Sequence, residues 1–121
     1  HAKCQNNLGA ALLTLGRVDE ALSHCTTAAE LAPDFALAKN NLGNIHLRKG
    51  DYEAARTCYI EAIALDAKLA PAYFGLGSAE QGLRSDKARV EELYRKAIEL
   101  SPGVPIFQQA LDKLLAAAAE D

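Results

Sequence analysis

The chain has 121 residues, half of them hydrophobic, which is the length of one ordinary domain with enough apolar surface for a continuous core. Thirteen Lys and Arg stand against sixteen Asp and Glu, a net charge of -3 with the signs interspersed, and this argues against nucleic acid as a partner. No apolar run approaches the roughly 18 residues that span a bilayer, so no membrane insertion is expected.

The chain begins at His1 with no initiator Met and reaches its first motif at once, which reads as a fragment of a longer protein. A period of 34 residues then organises it. Asn6-Asn7-Leu8-Gly9 recurs as Asn40-Asn41-Leu42-Gly43, and Leu76-Gly77 follows at the same interval. In the first unit Leu8, Leu12 and Leu15 recur at helical spacing, Gly16 offers a stop, and Asp19-Glu20 place acid in the first turn of a second helix. In the second unit Leu42, Ile45 and Leu47 lead to Gly50. Asp51 is a good N-cap there, and Tyr52, Ala55, Tyr59, Ala62 and Ile63 form a buried stripe.

Gly9 and Gly43 are expected to let Ala21 and Ala55 of the second helices approach closely. The third unit has a longer turn, Leu83-Arg84-Ser85-Asp86-Lys87, with Arg84 in place of the turn glycine, so its first helix is expected to fray or shift. Pro33, Pro71 and Pro102 punctuate the joins. Beyond Pro105, Ile106, Phe107, Ala110, Leu111, Leu114 and Leu115 write the apolar stripe of one further helix, ending in Ala116 to Ala119, which caps the last unit. Cys4, Cys25 and Cys58 each fall within a helical pattern where a small buried hydrophobe fits. This predicts reduced, buried thiols without metal in a reducing compartment, read as the cytoplasm.

These residues resemble the tetratricopeptide repeat family. The first unit supplies Leu8, Gly9, Leu12, Gly16, Val18, Ala21, Cys25, Ala28 and Pro33; the second Leu42, Gly43, His46, Gly50, Tyr52, Ala55, Tyr59 and Ala62; the third Tyr73, Leu76, Gly77, Tyr94, Ala97 and Pro102. Gln5 and Lys39 depart from the pattern where the first aromatic is usual, and Glu80 where a buried aromatic is usual. The resemblance implies an all-α, right-handed α-solenoid of three helix-turn-helix repeats at about 2–35, 36–69 and 70–104, with a capping helix at about 105–119, forming one domain over 1–121.

Family geometry implies that the first helices line a concave groove that holds a peptide segment of a partner protein. Carried over position by position, its side chains are Asn6, Asn7 and Leu13, then Leu37, Asn40, Asn41, Asn44, Leu47 and Arg48, then Phe74, Ser78 and Gln81. Lys3, Ala10, Thr14, Pro71, Gly75 and Gly82 fill the remaining groove positions. An Asn amide offers a donor and an acceptor, which suits an extended peptide backbone. Asn7 and Asn41 resemble the asparagine ladder of the O-GlcNAc transferase repeats, with the third rung missing at Gly75. Asn41 is expected to be exposed, so that its replacement changes stability little. The carboxylate clamp that other members use on chaperone tails is absent, since its positions hold Asn6, Ala10, Asn41, Pro71 and Gly75.

Motifs for catalysis or for a cofactor are missing: no phosphate loop, Gly-x-Ser-x-Gly, HExxH or CxxC is present, so neither an enzyme site nor a metal site is expected. The alternatives are the targeting arm of an enzyme whose catalytic domain lies elsewhere, or a scaffold that forms homo-oligomers through its open solenoid ends.

Overall fold

The structure, a computed structural model, describes residues 1–120, with side-chain surroundings through Ala117. The alanine tail expected to end the last stripe therefore lies partly beyond the described side chains, at Ala118 and Ala119, and Asp121 lies outside the described residues. Seven α-helices and no strands make up the described residues: α1 (Ala2–Thr14), α2 (Val18–Leu31), α3 (Ala36–Arg48), α4 (Tyr52–Leu65), α5 (Ala70–Gly82), α6 (Lys87–Leu100) and α7 (Pro105–Glu120). Each odd helix pairs with the even helix that follows it, and each even helix packs on the odd helix after it.

The turns inside the pairs share one hydrogen-bonded design. The amide of Gly16 donates to the Leu13 carbonyl and that of Arg17 to Leu12, and Gly50 and Asp51 repeat this with Leu47 and His46. Both glycines hold a positive φ, 81° and 80°, which a residue without Cβ adopts freely. Arg84 takes the same left-handed place at φ 60°. Its amide donates to Gln81 and that of Ser85 to Glu80, so the turn closes in the same way. The expected fraying of α5 does not occur: α5 has 13 residues, as α1 and α3 do. The extra residue is taken up before Asp86, whose carboxylate accepts from the Ala88 amide and caps α6.

Packing centres on Tyr59, a fully buried side chain of α4. A Cβ added to Gly43 would lie 2.7 Å from its ring, and one added to Gly75 would lie 2.2 Å from it. The small residues of the first helices thus make room first for the aromatic of the second helix, while the expected approach of Ala21 to Gly9 is present, its carbonyl oxygen 3.2 Å from an added Cβ. At Gly9 the corresponding neighbour is Cys25, whose Sγ would be 2.3 Å from an added Cβ. Ala55, Ala62, Ala72, Leu76, Ala79 and Leu93 complete the cluster around Tyr59.

Several apolar side chains expected in stripes prove to be on the surface. Leu8 is 46% exposed and Leu15 71%, whereas Leu42 and Leu76, which correspond to Leu8, are buried. For Leu8 the reason is positional: α2 covers α3 and α4 covers α5, but among the described residues no helix precedes α1. Tyr52, Ile106 and Leu115 are also exposed, and α7 buries the narrower stripe Phe107, Leu111 and Leu114. Glu80, in the usual aromatic position, is buried and forms ion pairs with Arg56 at 3.4 Å and Arg89 at 4.0 Å.

The helix contacts set the shape that positions the site. α1 touches α3 and α3 touches α5, while α2, α4 and α6 make no comparable contact with one another. First helices that are closer together than second helices place the first helices on the inside of a curved stack.

Gly75→Ala should lower stability by about 1 to 3 kcal/mol, because the Tyr59 ring is confined on its other side by Gly43 and cannot withdraw. Gly103→Ala, which meets nothing within 4 Å, serves as the control. Denaturant midpoints for the two variants measure the difference.

Candidate functional site

The inner face is built from α1, α3 and α5, and its amides do more for the fold than their position in sequence suggests. Asn6 is 4% exposed, and its Oδ1 accepts from Asn41 Nδ2 at 2.8 Å, which ties α1 to α3. Asn41 is accordingly half-buried and held in place, contrary to the expectation that it is merely an exposed residue. Asn44 accepts from the Tyr59 hydroxyl, which places that phenol's one polar atom against the groove amide. Burial pushes the Tyr59 phenol well above its ordinary range, so it stays a donor.

Each of these amides is fixed through one atom. With Nδ2 committed to Asn6, Asn41 keeps its Oδ1 as an acceptor; with Oδ1 committed to Tyr59, Asn44 keeps its Nδ2 as a donor. The two stand three residues apart on α3, which places them on one helix face. Asn7 is exposed, and Asn40 is buried at 6% with an Oδ1 that has no hydrogen-bond partner. The repeat explains this orphan. Asn6 and Asn41 correspond to positions 40 and 75, and residue 75 is a glycine because Tyr59 fills its place. Asn6 and Asn40 therefore sit between helices and not on the open face.

The remaining expected groove residues spread along the same face. Leu37 and Arg48 are exposed and Leu13 and Leu47 half-buried, and Arg48 Nη1 donates to the Leu13 carbonyl at 3.3 Å as a second α3-to-α1 tie. Phe74 is half-buried, with ring centroids 5.4 Å from Tyr94 and 4.9 Å from Phe107, so it braces α5 against α6 and α7 while remaining partly exposed. Ser78 donates to the Phe74 carbonyl, and Gln81 Oε1 accepts from the Tyr94 hydroxyl at 2.9 Å. Sequence reasoning missed the bonds that join helices, such as Tyr94 to Gln81, because no periodicity records those contacts.

The thiols divide by position. Cys25 is buried and desolvation raises its pKa to about 11; Cys58 is half-buried and raised for the same chief reason. Cys4 is exposed, against expectation, because it lies on the uncovered face of α1, where its counterparts Ala38 and Ala72 are buried. His24, the neighbour of Cys25, meets Gln5 Oε1 through Nδ1 at 2.6 Å. Among the described residues no three His, Cys, Asp or Glu side chains gather as a metal site would require, and no helix is long and apolar enough to cross a membrane.

Asn41→Ala should lose about 1 to 2 kcal/mol of stability, since it leaves the buried Asn6 carbonyl oxygen unpaired and regains only a little helix propensity. Asn7→Ala, whose side chain is exposed, should change the denaturation midpoint little. Equal midpoints for the two variants would mean that the Asn6–Asn41 bond contributes nothing.

Comparison with known proteins agrees with this architecture. The family model described as tetratricopeptide repeat matches residues 2–35, and one described as TPR repeat matches residues 43–82. The chain is 32% identical over 84 residues to the Hsp70-Hsp90 organizing protein of Triticum aestivum, covering 69% of this chain and 14% of the wheat protein's length. The first TPR domain of human RPAP3 superposes with a TM-score of 0.90 at 23% identity, over 98% of this chain and 93% of that one. The first TPR of Spaghetti (RPAP3), bound to the HSP90 peptide SRMEEVD, superposes with a TM-score of 0.87 at 23% identity, over 98% and 93%. The helix pairs, the glycine and aromatic packing between them and these matches make the chain a member of the tetratricopeptide repeat family.

Proposed function

We propose that the chain is a protein-interaction module that holds an extended segment of a partner protein along the inner face of α1, α3 and α5. The observation that carries this reading is the pair Asn41 and Asn44: each is anchored from inside the fold and presents one remaining amide atom, an acceptor and a donor, on the same face of α3. An extended backbone offers the complementary N–H and C=O groups, and Leu37, Leu47 and the partly exposed Phe74 offer apolar contact for its side chains. The wheat relative and the peptide-bound structural neighbour are proteins of the interaction type, which supports the class of function.

The ligand we infer differs in charge from the SRMEEVD peptide of that neighbour. The positions at which chaperone-tail binders carry cations hold Asn6, Pro71 and Gly75 here, and two of these are closed off, Asn6 by burial and Gly75 by the Tyr59 ring. Lys3 and Arg48 are the charged side chains at the expected groove positions, which suits a segment that is neutral or carries isolated acids. The chain is read as non-catalytic in itself. Its three unpaired thiols favour a reducing compartment such as the cytoplasm.

Asn44→Asp separates binding from folding. An aspartate still accepts from the Tyr59 hydroxyl, so thermal unfolding should be nearly unchanged, but the outward donor becomes an acceptor that repels a peptide carbonyl. Peptides selected from a random linear library against the wild-type chain should lose about tenfold in affinity for Asn44→Asp, or roughly 1.4 kcal/mol, and none for Glu61→Ala on α4. Equal affinity of all three proteins would place binding away from this face.

A further inference from the structure

The two ends of the stack show different surfaces to solvent. At the C-terminal end α7 turns Gln109, Asp112 and Lys113 outward, and the Asp112 carboxylate accepts from Gln108. At the N-terminal end the outer face of α1 is apolar: Cys4, Leu8, Ala11 and Leu15 are all exposed, Leu8 at 46% and Leu15 at 71%. The residues equivalent to the first three are buried in both later repeats, at Ala38, Leu42 and Ile45 on α3 and at Ala72, Leu76 and Ala79 on α5. Leu15 is a separate observation. Its counterpart in the second repeat is the exposed Lys49, so the repeat design does not account for a leucine there.

The four side chains recur at steps of four, three and four residues, which sets them in one narrow stripe. Leu15, the C-cap, keeps right-handed helical angles, φ -79° and ψ -2°, and so stays in phase with the others. A stripe of this spacing is the seam along which two helices pair, and its order of sizes selects the partner. When a second α1 lies antiparallel across it, with a two-fold axis between Leu8 and Ala11, Cys4 meets Leu15 and Leu8 meets Ala11. Every layer then sets a small side chain against a large one. A parallel copy would instead stack leucine on leucine in two layers and leave gaps in the other two. Gln5, Asn7 and Thr14 border the stripe without charge, and Lys3, the one charged side chain of α1, lies about 100° round the helix from Cys4. Two copies therefore meet without like charges in contact.

We propose that a second copy of this chain covers the outer face of α1, forming a two-fold dimer in which α1 packs antiparallel on α1. An isologous contact closes at two copies, whereas stacking α7 of one copy on α1 of another would set exposed polar side chains against the apolar stripe. One pair of 13-residue helices covers less than the roughly 1,200 Å² of a stable interface, which makes the dimer weak and reversible. The dimer goes beyond the groove reading and is independent of it, because the contact uses no residue of α3.

Sedimentation equilibrium of the chain should give the monomer mass at about 10 μM and approach twice that mass at about 1 mM. Leu8→Glu brings two like charges close to the axis and should remain monomeric throughout, while Ile60→Glu, at a side chain of α4 that is 49% exposed, should dimerise as wild type does. Disulfide trapping tests the orientation. With oxidised glutathione at the higher concentration, Leu15→Cys should form a covalent dimer in which peptide mapping finds a bond between Cys4 of one copy and the introduced thiol of the other. The wild type should form no bond between its two Cys4 thiols, which the antiparallel arrangement holds about 16 Å apart along the helix axis. A wild type that stays monomeric at about 1 mM would leave the face to a different polypeptide and overturn the proposal. A mass that rises past the dimer, dimerisation of Leu8→Glu equal to wild type, or trapping that joins like positions of the two copies would each overturn it as well.

Discussion

The ring of Tyr59 lies between Gly43 and Gly75, and the spacing of three helices follows from that fact. With no Cβ on either side, α3 and α5 approach the aromatic to distances at which any other residue would collide with it. The hydroxyl then has to be satisfied at the inner surface, and Asn44 does this. One side chain therefore fills the core of the middle repeat, joins it to the third, and fixes the orientation of an amide in the groove.

The same position explains how the two repeat interfaces differ. Where α4 has Tyr59, α2 has the smaller Cys25, and where α5 has Gly75, α3 has Asn41. Volume given up on the second helix is recovered on the next first helix, as expected of an interior packed to crystal-like density. The exchange has a polar consequence: Asn41 reaches Asn6, whereas Asn40, the counterpart of Asn6, faces a glycine and keeps an unpaired oxygen. Asn41 thus has no asparagine counterpart at position 75 because an aromatic ring occupies that space.

The period, the helix pairs, the turn glycines and the Asp51 cap were legible in the sequence because each depends on local spacing and backbone preference. Which atoms the groove residues leave free was not legible. Asn6, Asn41 and Asn44 lie at the border between the buried and exposed arcs of their helices, and whether such a residue turns inward depends on partners 35 or 15 residues away. Cys4 and Leu8 were misjudged for a related reason: their positions are buried in the later repeats only because a preceding helix covers them, whereas Leu15 is exposed as its counterpart Lys49 is. Glu80 was visible as a departure, but its pairing with Arg56 and Arg89 required knowing that α4 and α6 flank it.

If Tyr59 couples the middle repeat to the third, α3, α4 and α5 must open together, while α1 and α2, with Leu8 and Leu15 exposed and Cys25 in place of an aromatic, open more easily. Native-state hydrogen exchange in increasing denaturant measures this directly. The predicted result is that the slowest amides of α3, α4 and α5 merge into one isotherm of high opening free energy, with α1 and α2 on a separate, lower one. Separate isotherms for α3–α4 and for α5, with no shared opening, would contradict the account.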